Sequence, residues 1–420
     1  MRHAAPVSVE NASRNGSAAP QLETGESLET LGVYVHFPYC LKKCPYCDFL
    51  SLPAAREEIP HARYADAVIA ELQQRRSMVP GLPLRSVFFG GGTPSLWHAE
   101  ELGRVLAEIL RAFPQHSSQL EITAECNPSS FDDRVASGLH AAGVNRISLG
   151  VQGLDAKRLQ FLGRMHDAGG ALEALAVARR HPFARVSADL IFGVAGQAPS
   201  EAAQEVETIA EQGVTHLSAY ALTIEPGTQF GELARRNRLP LLSDDAVAES
   251  FSAVEAALAA RGFRHYEVSN YAKPGAEAQH NLGYWRGEPY LGLGAGAWGT
   301  IPLNGQRLRY RNTPSAERYL GWAGPLRDFD LTREGEMVAV TESLDGATAF
   351  AERLMLGLRL AEGFAWRASE ERTGAAMWTS NRRRAFEKWS GRGALYESDG
   401  RLHIRSSHWL LADGIVADLM

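Results

Sequence analysis

Three cysteines spaced CxxxCxxC, namely Cys40, Cys44 and Cys47, restrict this chain more than any other feature of it. They stand in the run Tyr34-Val-His-Phe-Pro-Tyr-Cys-Leu-Lys-Lys-Cys-Pro-Tyr-Cys-Asp-Phe49. Three thiolates can hold three irons of a cubane [4Fe–4S] cluster and leave the fourth iron without a protein ligand. A closed electron-transfer cluster takes a fourth cysteine, whereas an open iron is suited to binding a substrate or cofactor. The competing reading is structural zinc, which needs four ligands. The only other cysteine, Cys126, is remote in sequence, and His36 is nearer. A disulfide pair ranks lower still, because four cysteines in 420 residues are not a disulfide framework. The cluster is the favoured reading.

Composition narrows the class. A chain of 420 residues that is 45% hydrophobic can bury a large core. At about 100–200 residues per domain it accommodates two or three domains. A net charge of −6 and a pI near 6.1 argue against nucleic acid as a partner. No apolar run approaches the roughly 20 residues that span a bilayer. No signal peptide precedes Cys40, so the expected setting is cytoplasmic.

Residues 1–30 mix Ala, Ser, Asn, Gly, Pro and Glu without apolar periodicity, which predicts a disordered leader. From Gly32 onward, apolar runs alternate with helical stripes. Strands are expected at 33–37, 86–89, 120–124, 146–150, 186–191 and 217–222. Helices are expected at 64–78, 99–113, 131–142, 170–180, 200–212 and 244–260. The stripe Leu102, Val105, Leu106, Ile109, Leu110 and Phe113 marks one buried helix face. Strands alternating with helices imply a parallel sheet. Six such units predict an α/β fold, a partial (β/α)6 TIM-like barrel over residues 31–262. After Gly262 the rhythm breaks. A strand at 263–269, an aromatic and glycine-rich loop at 280–299, a helix at 348–359 and a terminal hairpin suggest a smaller α+β domain over 263–420.

Parallel barrels carry their sites on the loops that follow the strands. Unusual residues cluster there: the cysteine loop, Gly90-Gly91-Gly92-Thr93-Pro94, Glu125-Cys126-Asn127-Pro128, the polar end of Arg146–Gln152, Leu162-Gly-Arg-Met-His166, and Asp189. Taken singly, most are ordinary: the glycines as a turn, Glu125 as a helix cap, Arg164 and His166 as solvated surface. Asp189 is harder to dismiss, since a carboxylate in a buried strand requires a partner. Their shared register at one barrel end favours a single pocket.

The set YVHFPYCxxxCxxCDF, GGGTPS, ECNP, RISLGVQ, LGRMH, DLIFG, YEVSN, HNLGYW and LGLGAGA resembles the oxygen-independent coproporphyrinogen III oxidase-like family of radical S-adenosylmethionine (SAM) proteins. The resemblance covers nearly everything but the leader. It implies that Cys40, Cys44 and Cys47 are the cluster ligands, with SAM chelating the open iron. It places Gly91, Gly92 and Thr93 at the SAM amino end, with Tyr34 and Glu125 beside it. Gln152, Arg164 and Asp189 match further positions that line a SAM-type site.

Two features separate the oxidases from the haem chaperones within that family. The oxidases resemble CxxxCxxCxC, and here Phe49 occupies the place of the fourth cysteine. The chaperone branch carries HNxxYW, present as His280-Asn281-Leu-Gly-Tyr284-Trp285. A neutral imidazole can ligate haem iron, and aromatic rings pack on a macrocycle. The resemblance therefore implies haem contact at His280 and delivery of haem to acceptor haemoproteins, membrane-associated respiratory proteins among them, from a chain that is monomeric or a homodimer. Oxidative decarboxylation of coproporphyrinogen III is the enzymatic alternative. Two departures stand out: Val194-Ala-Gly-Gln197 lacks a proline common in the family, and Trp298 replaces a histidine. Cys126 reads as a small buried residue.

Overall fold

The computed structural model of the chain describes residues 29–322 and 331–420. All but the last two positions of the expected leader lie outside the described residues.

Six parallel strands form the centre: β1 (Leu31–Phe37), β2 (Leu84–Gly91), β3 (His116–Cys126), β4 (Arg146–Gln152), β5 (Arg185–Phe192) and β6 (His216–Ala221). They lie side by side in chain order. Between consecutive strands run α1 (His61–Arg75), α2 (Ala99–Ala112), α3 (Asp133–Ala141), α4 (Ala168–Arg180) and α5 (Pro199–Glu211); α6 (Asp244–Ala260) follows β6. Consecutive parallel neighbours joined by helices are the arrangement that right-handed crossovers produce. Three of these helices start where short polar side chains accept a backbone N–H: Asp132 for α3, Asp167 for α4 and Ser243 for α6. The α2 stripe packs as expected, with Leu102, Val105, Leu106 and Ile109 buried.

The sheet curves into a partial barrel. Glu125 of β3 feels the charge of Asp189 two strands away, and Tyr34 of β1 feels Glu125.

Beyond Gly262 the chain extends both edges of the same sheet. A hairpin of β7 (Arg264–Glu267) and β8 (Asn270–Ala272) pairs antiparallel with β6. At the other edge, β9 (Tyr290–Leu293) pairs parallel with β1, followed by the antiparallel β10 (Trp298–Leu303), β11 (Gln306–Asn312) and β12 (Val338–Leu344). The segment expected as a loop at 280–299 instead contains nearly all of a helix, α7 (Gln279–Trp285), the whole of β9 and the start of the next strand. Both elements are too short to display a period, and Gly292 sits inside the strand because a Cβ there would strike the Trp298 carbonyl. The terminal hairpin forms as expected, from Leu395–Ser398 and Arg401–Ile404.

A buried polar network ties α1 to the C-terminal strands. Glu71 and Arg75, both fully buried, pair on one helix face. Arg75 donates to the Gly292 carbonyl (2.8 Å) and to Asn312 Oδ1 (2.7 Å). Glu71 accepts from Asn312 Nδ2 (2.7 Å), from the Gly294 amide (2.8 Å) and from the Tyr319 hydroxyl (2.5 Å). Removing one partner of such a pair strands the other charge without water. Glu71→Ala is expected to cost about 3–5 kcal/mol, measured by chemical denaturation; a loss below 1 kcal/mol would show that the network does not hold the two parts together.

Candidate functional site

The site begins where β1 ends. Tyr39–Cys40 pairs with Leu52–Pro53, so the cysteine loop is pinched at its base. Leu52 donates to the Pro38 carbonyl (2.7 Å) and Ala54 to the Cys40 carbonyl (2.9 Å). His36 Nε2 donates to the Leu50 carbonyl (2.8 Å), which leaves Nδ1 to accept the Tyr34 hydroxyl (2.9 Å). A turn with the Cys47 amide on the Cys44 carbonyl (3.2 Å) orders the loop's middle.

Each cysteine meets a different group. Cys40 Sγ lies 3.2 Å from Thr93 Oγ1, Cys47 Sγ 3.8 Å from Ser51 Oγ, and Cys44 Sγ accepts from the Arg164 guanidinium at 3.5 Å. The second Arg164 nitrogen donates to the Gly150 carbonyl (2.9 Å). Burial pushes the Cys40 thiol up to about 11 and raises Cys47 as well. Ligation therefore requires deprotonation of Cys40 and Cys47, which a bound metal group drives. Among the described residues no three His, Cys, Asp or Glu side chains converge on a single-ion position. The donor set suits a group that takes one thiolate at each of three corners.

Gly91 and Gly92 are required by packing. Gly91 has φ +107°, and a Cβ on it would sit 2.5 Å from the His36 ring. A Cβ on Gly92 would come within 2.7 Å of the Pro38 and Tyr39 backbone. Their amides are engaged in the chain itself, Gly91 with Glu125 Oε2 (3.1 Å) and Gly92 with the Phe37 carbonyl (2.7 Å). The turn thus lies directly against the root of the cysteine loop. Beside it opens a shallow cleft lined by Lys42, Cys44, Thr93, Asn127, Arg164 and Met165.

Glu125 and Asp189 face the barrel interior, enclosed by protein yet reached by solvent. Burial, and then the Asp189 charge, push the Glu125 carboxyl up to about 8. Burial raises Asp189 too, against the Ser148 hydroxyl 3.2 Å from each of its oxygens. Gln152 closes β4 in the left-handed region at φ +64°, a conformation that non-glycine residues hold only under local constraint. Arg164 and His166 are not solvated surface. His166 is buried and its Nε2 donates to the Val151 carbonyl (2.9 Å).

His280 stands apart. It rises from α7 at the N-terminal ends of β1 and β2, beside Gly32 and Ser86. Five residues of strand, about 16 Å, separate Gly32 from the end of β1 at the cysteine loop. The ring is fully buried and stacked on Phe88 (4.9 Å between centroids). Its Nδ1 is bonded to Ser86 Oγ (2.8 Å) and its Nε2 to the Tyr284 hydroxyl (2.9 Å). Burial, then Arg85, hold its pKa well below the usual value. Of the positions singled out in the sequence, the cysteines, Gly91, Gly92, Thr93, Glu125, Gln152 and Arg164 gather at the strand ends. Tyr34 and Asp189 lie beneath them, and His280 closes the opposite end. Sequence reasoning missed Ser148 and the bonding role of His36, although both residues occur in the quoted motifs. Trp298, in place of the family histidine, lies partly exposed under the Arg311 guanidinium.

Residues 34–209 match the Radical SAM superfamily. The protein named heme chaperone HemW from Mycobacterium tuberculosis (strain H37Rv) is 34% identical over 394 residues, covering 93% of this chain and 95% of that one. HemW of Escherichia coli K12 is 38% identical over 288 residues, 68% of this chain and 74% of the relative. The structure of E. coli coproporphyrinogen III oxidase, HemN, superposes with a TM-score of 0.75 at 20% identity, covering 93% of this chain and 90% of that one. That likeness establishes the fold.

The buried titrating groups oppose each other in their effect on stability. His36 and His166 are lowered to about 4, and His216 and His280 are lowered well below 6.5, by burial in every case. The unfolded chain takes up those protons first as pH falls through 6.5, so stability is lost on the acid side. Glu125, raised to about 8, and Glu267, raised by burial to about 7, keep protons that the unfolded chain releases above 4.5, so stability is lost as pH rises through their window. The ligand-free chain is expected to be most stable near about pH 6. Thermal denaturation across pH 4.5–8.5 tests this: His166→Gln should move the optimum down and Glu125→Gln should move it up. An optimum that neither change moves would refute the assignment.

Proposed function

Because this chain belongs to the HemW family of radical SAM proteins, we propose that it is a haem chaperone: it binds haem and delivers it to haemoproteins. The near full-length match to HemW of M. tuberculosis carries this reading. We assign Cys40, Cys44 and Cys47 as ligands of a [4Fe–4S] cluster, whose open iron would supply a chelation point for the amino and carboxylate groups of SAM.

The chain's own residues prepare that place. The pinched base of the loop holds Cys40 against Thr93, and Arg164 sets a positive charge beside Cys44. Glu125, neutral near pH 7, is the carboxyl nearest the Gly91–Thr93 turn and can lose its proton to meet an ammonium group. Gln152 and Asp189 extend the same wall. Phe49, 61% exposed, stands where the oxidases carry a further cysteine. The oxidase alternative rests on fold likeness alone.

We place the barrel in residues 31–262 and the smaller domain in 263–420. No helix among the described residues is long and apolar enough to cross a membrane. The proposed setting is cytoplasmic, with acceptors that include membrane-associated respiratory haemoproteins and a homodimer as the carrier state.

Two measurements test this. After anaerobic reconstitution, the chain loaded with haem should restore the absorbance of an apo-haemoprotein faster than free haem does. Steady formation of protoporphyrinogen from coproporphyrinogen III would overturn the chaperone reading. Binding of SAM at pH 7 should release about one proton, read by calorimetry in buffers of differing ionisation enthalpy, and Glu125→Gln should abolish that release. Release unchanged in the variant would remove Glu125 from the site.

A further inference from the structure

The run Tyr266-Glu267-Val268-Ser269-Asn270 turns the β7–β8 hairpin and takes no part in the cluster cleft. Its first two side chains reach α7 instead. The Tyr266 hydroxyl accepts the backbone amide of Ala278 at 3.2 Å and bonds His216 Nε2 at 2.8 Å. Ala278 stands at the N-terminal boundary of α7. The Glu267 carboxyl, without exposed surface, accepts the Ser269 amide at 3.0 Å and also Asn270 Nδ2. Trp285, the last residue of α7, donates its indole N–H to the same carboxyl. Burial pushes that carboxyl up to about 7, and the Ser269 and Trp285 donors act against the rise.

The hairpin thus meets α7 at both ends. Ala278 and Trp285 are seven residues apart, about two helical turns, and so lie on one face. His280 leaves the opposite face, toward Ser86 and Phe88 of β2. The helix is gripped between the hairpin on one side and the strands on the other. The hairpin is itself anchored. Val268 donates to the Arg359 carbonyl and Ala361 to the Tyr266 carbonyl, both at 3.0 Å, around a bridge of Glu267 with Leu360. Arg286, one residue past α7, pairs with Glu362 of that same segment at 2.8 and 3.0 Å.

This grip decides what α7 can offer to a ligand. His280 has no exposed surface, whereas Tyr284 and Trp285 keep part of theirs. A ring that packs on a flat ligand gains most when it is not free to turn, because less side-chain freedom is lost on binding. With its N–H fixed on a buried carboxyl, the Trp285 ring has that property. The Tyr266 hydroxyl does the same for the helix start, two residues before His280.

We propose that Tyr266 and Glu267 are positioning residues for α7: they hold the face opposite His280 and set the Trp285 ring for the cargo. The proposal rests on the haem-chaperone reading and gives the Tyr266–Asn270 run its task. Neither residue touches haem; each acts through a group of α7, Tyr266 through the Ala278 amide and Glu267 through the Trp285 indole.

The full chain, with its cluster reconstituted, is titrated with haem. The Trp285 indole bands are isolated in ultraviolet resonance Raman spectra, each chain being read against its Trp285→Phe counterpart. Tyr266→Phe and Glu267→Gln should each weaken haem binding about tenfold, and Glu267→Gln should move the indole N–H band. In a Trp285→Phe chain, Glu267→Gln should cost no further affinity, because the group it acts through is gone. A folded Tyr266→Phe chain with the parent's affinity overturns the hold on the helix start. An unmoved indole band, or a loss of affinity that is the same with and without Trp285, overturns the hold on its end. If Glu267→Gln does not fold, Trp285→Phe decides alone: haem binding equal to the parent's overturns the proposal. A parent that takes up no haem overturns the chaperone reading instead, and the indole band, read without haem, still decides whether Glu267 holds Trp285.

Discussion

The contact on which the site depends is backbone against backbone: the Gly91–Gly92 turn lies on the root of the cysteine loop. Two strand ends can approach this closely only where no Cβ intervenes, and here both glycines would meet a neighbour at under 3 Å if they carried one. The approach sets Thr93 on Cys40 and brings Gly91 over His36. His36 in turn holds Tyr34 and Leu50, so a single imidazole connects the floor of the barrel to the far side of the loop. Three flexible thiols on a surface loop would lose much side-chain freedom on binding a cluster. A loop already pinched at Tyr39–Cys40 and Leu52–Pro53 has less freedom left to lose.

Electrostatics follow from the same enclosure. The carboxyls that face the barrel interior, Glu125 and Asp189, are partly deprived of water, which raises both, and Glu125, pushed up to about 8 by burial and by the Asp189 charge, holds a proton in the ligand-free site. Arg164 at the cleft and Arg146 lower down supply positive charge. Arg146 bonds Glu121 (3.3 Å), Ser187 (2.9 Å) and the Ala276 carbonyl (3.0 Å), which closes the base of the barrel with a satisfied polar layer. The upper layer is left incomplete by comparison. Its Glu125 carboxyl lies where a cationic cofactor would be received.

Period and turn chemistry made the barrel legible. Each strand–helix unit is long enough to display its stripe, and α6 spans Asp244–Ala260 as the pattern predicts. The segment at 280–299 was not legible, because α7 and β9 are each shorter than a readable period and their glycines and aromatics imitate a loop. The cysteines, the glycine turn and Glu125 could be read because their motifs name residue types that few other roles require. The stacking of His98 on His61, 37 positions earlier, could not, since nothing in Trp97-His98-Ala99 departs from an ordinary helix start. Burial of His280 was likewise hidden, since the partners that occupy its ring are Ser86, from another strand, and a tyrosine one helical turn away.

A carrier must hold its cargo and also give it up, and the setting of His280 bears on both. Freeing the His280 imidazole would break bonds to Ser86 and Tyr284 and unstack Phe88 in a site without solvent, leaving buried polar groups unpaired at about 1–3 kcal/mol each. That cost would fall on binding and be returned on release, so haem ligation through this ring would require the α7 end of the barrel to open and would leave a closed, fully bonded site behind when the cargo departs.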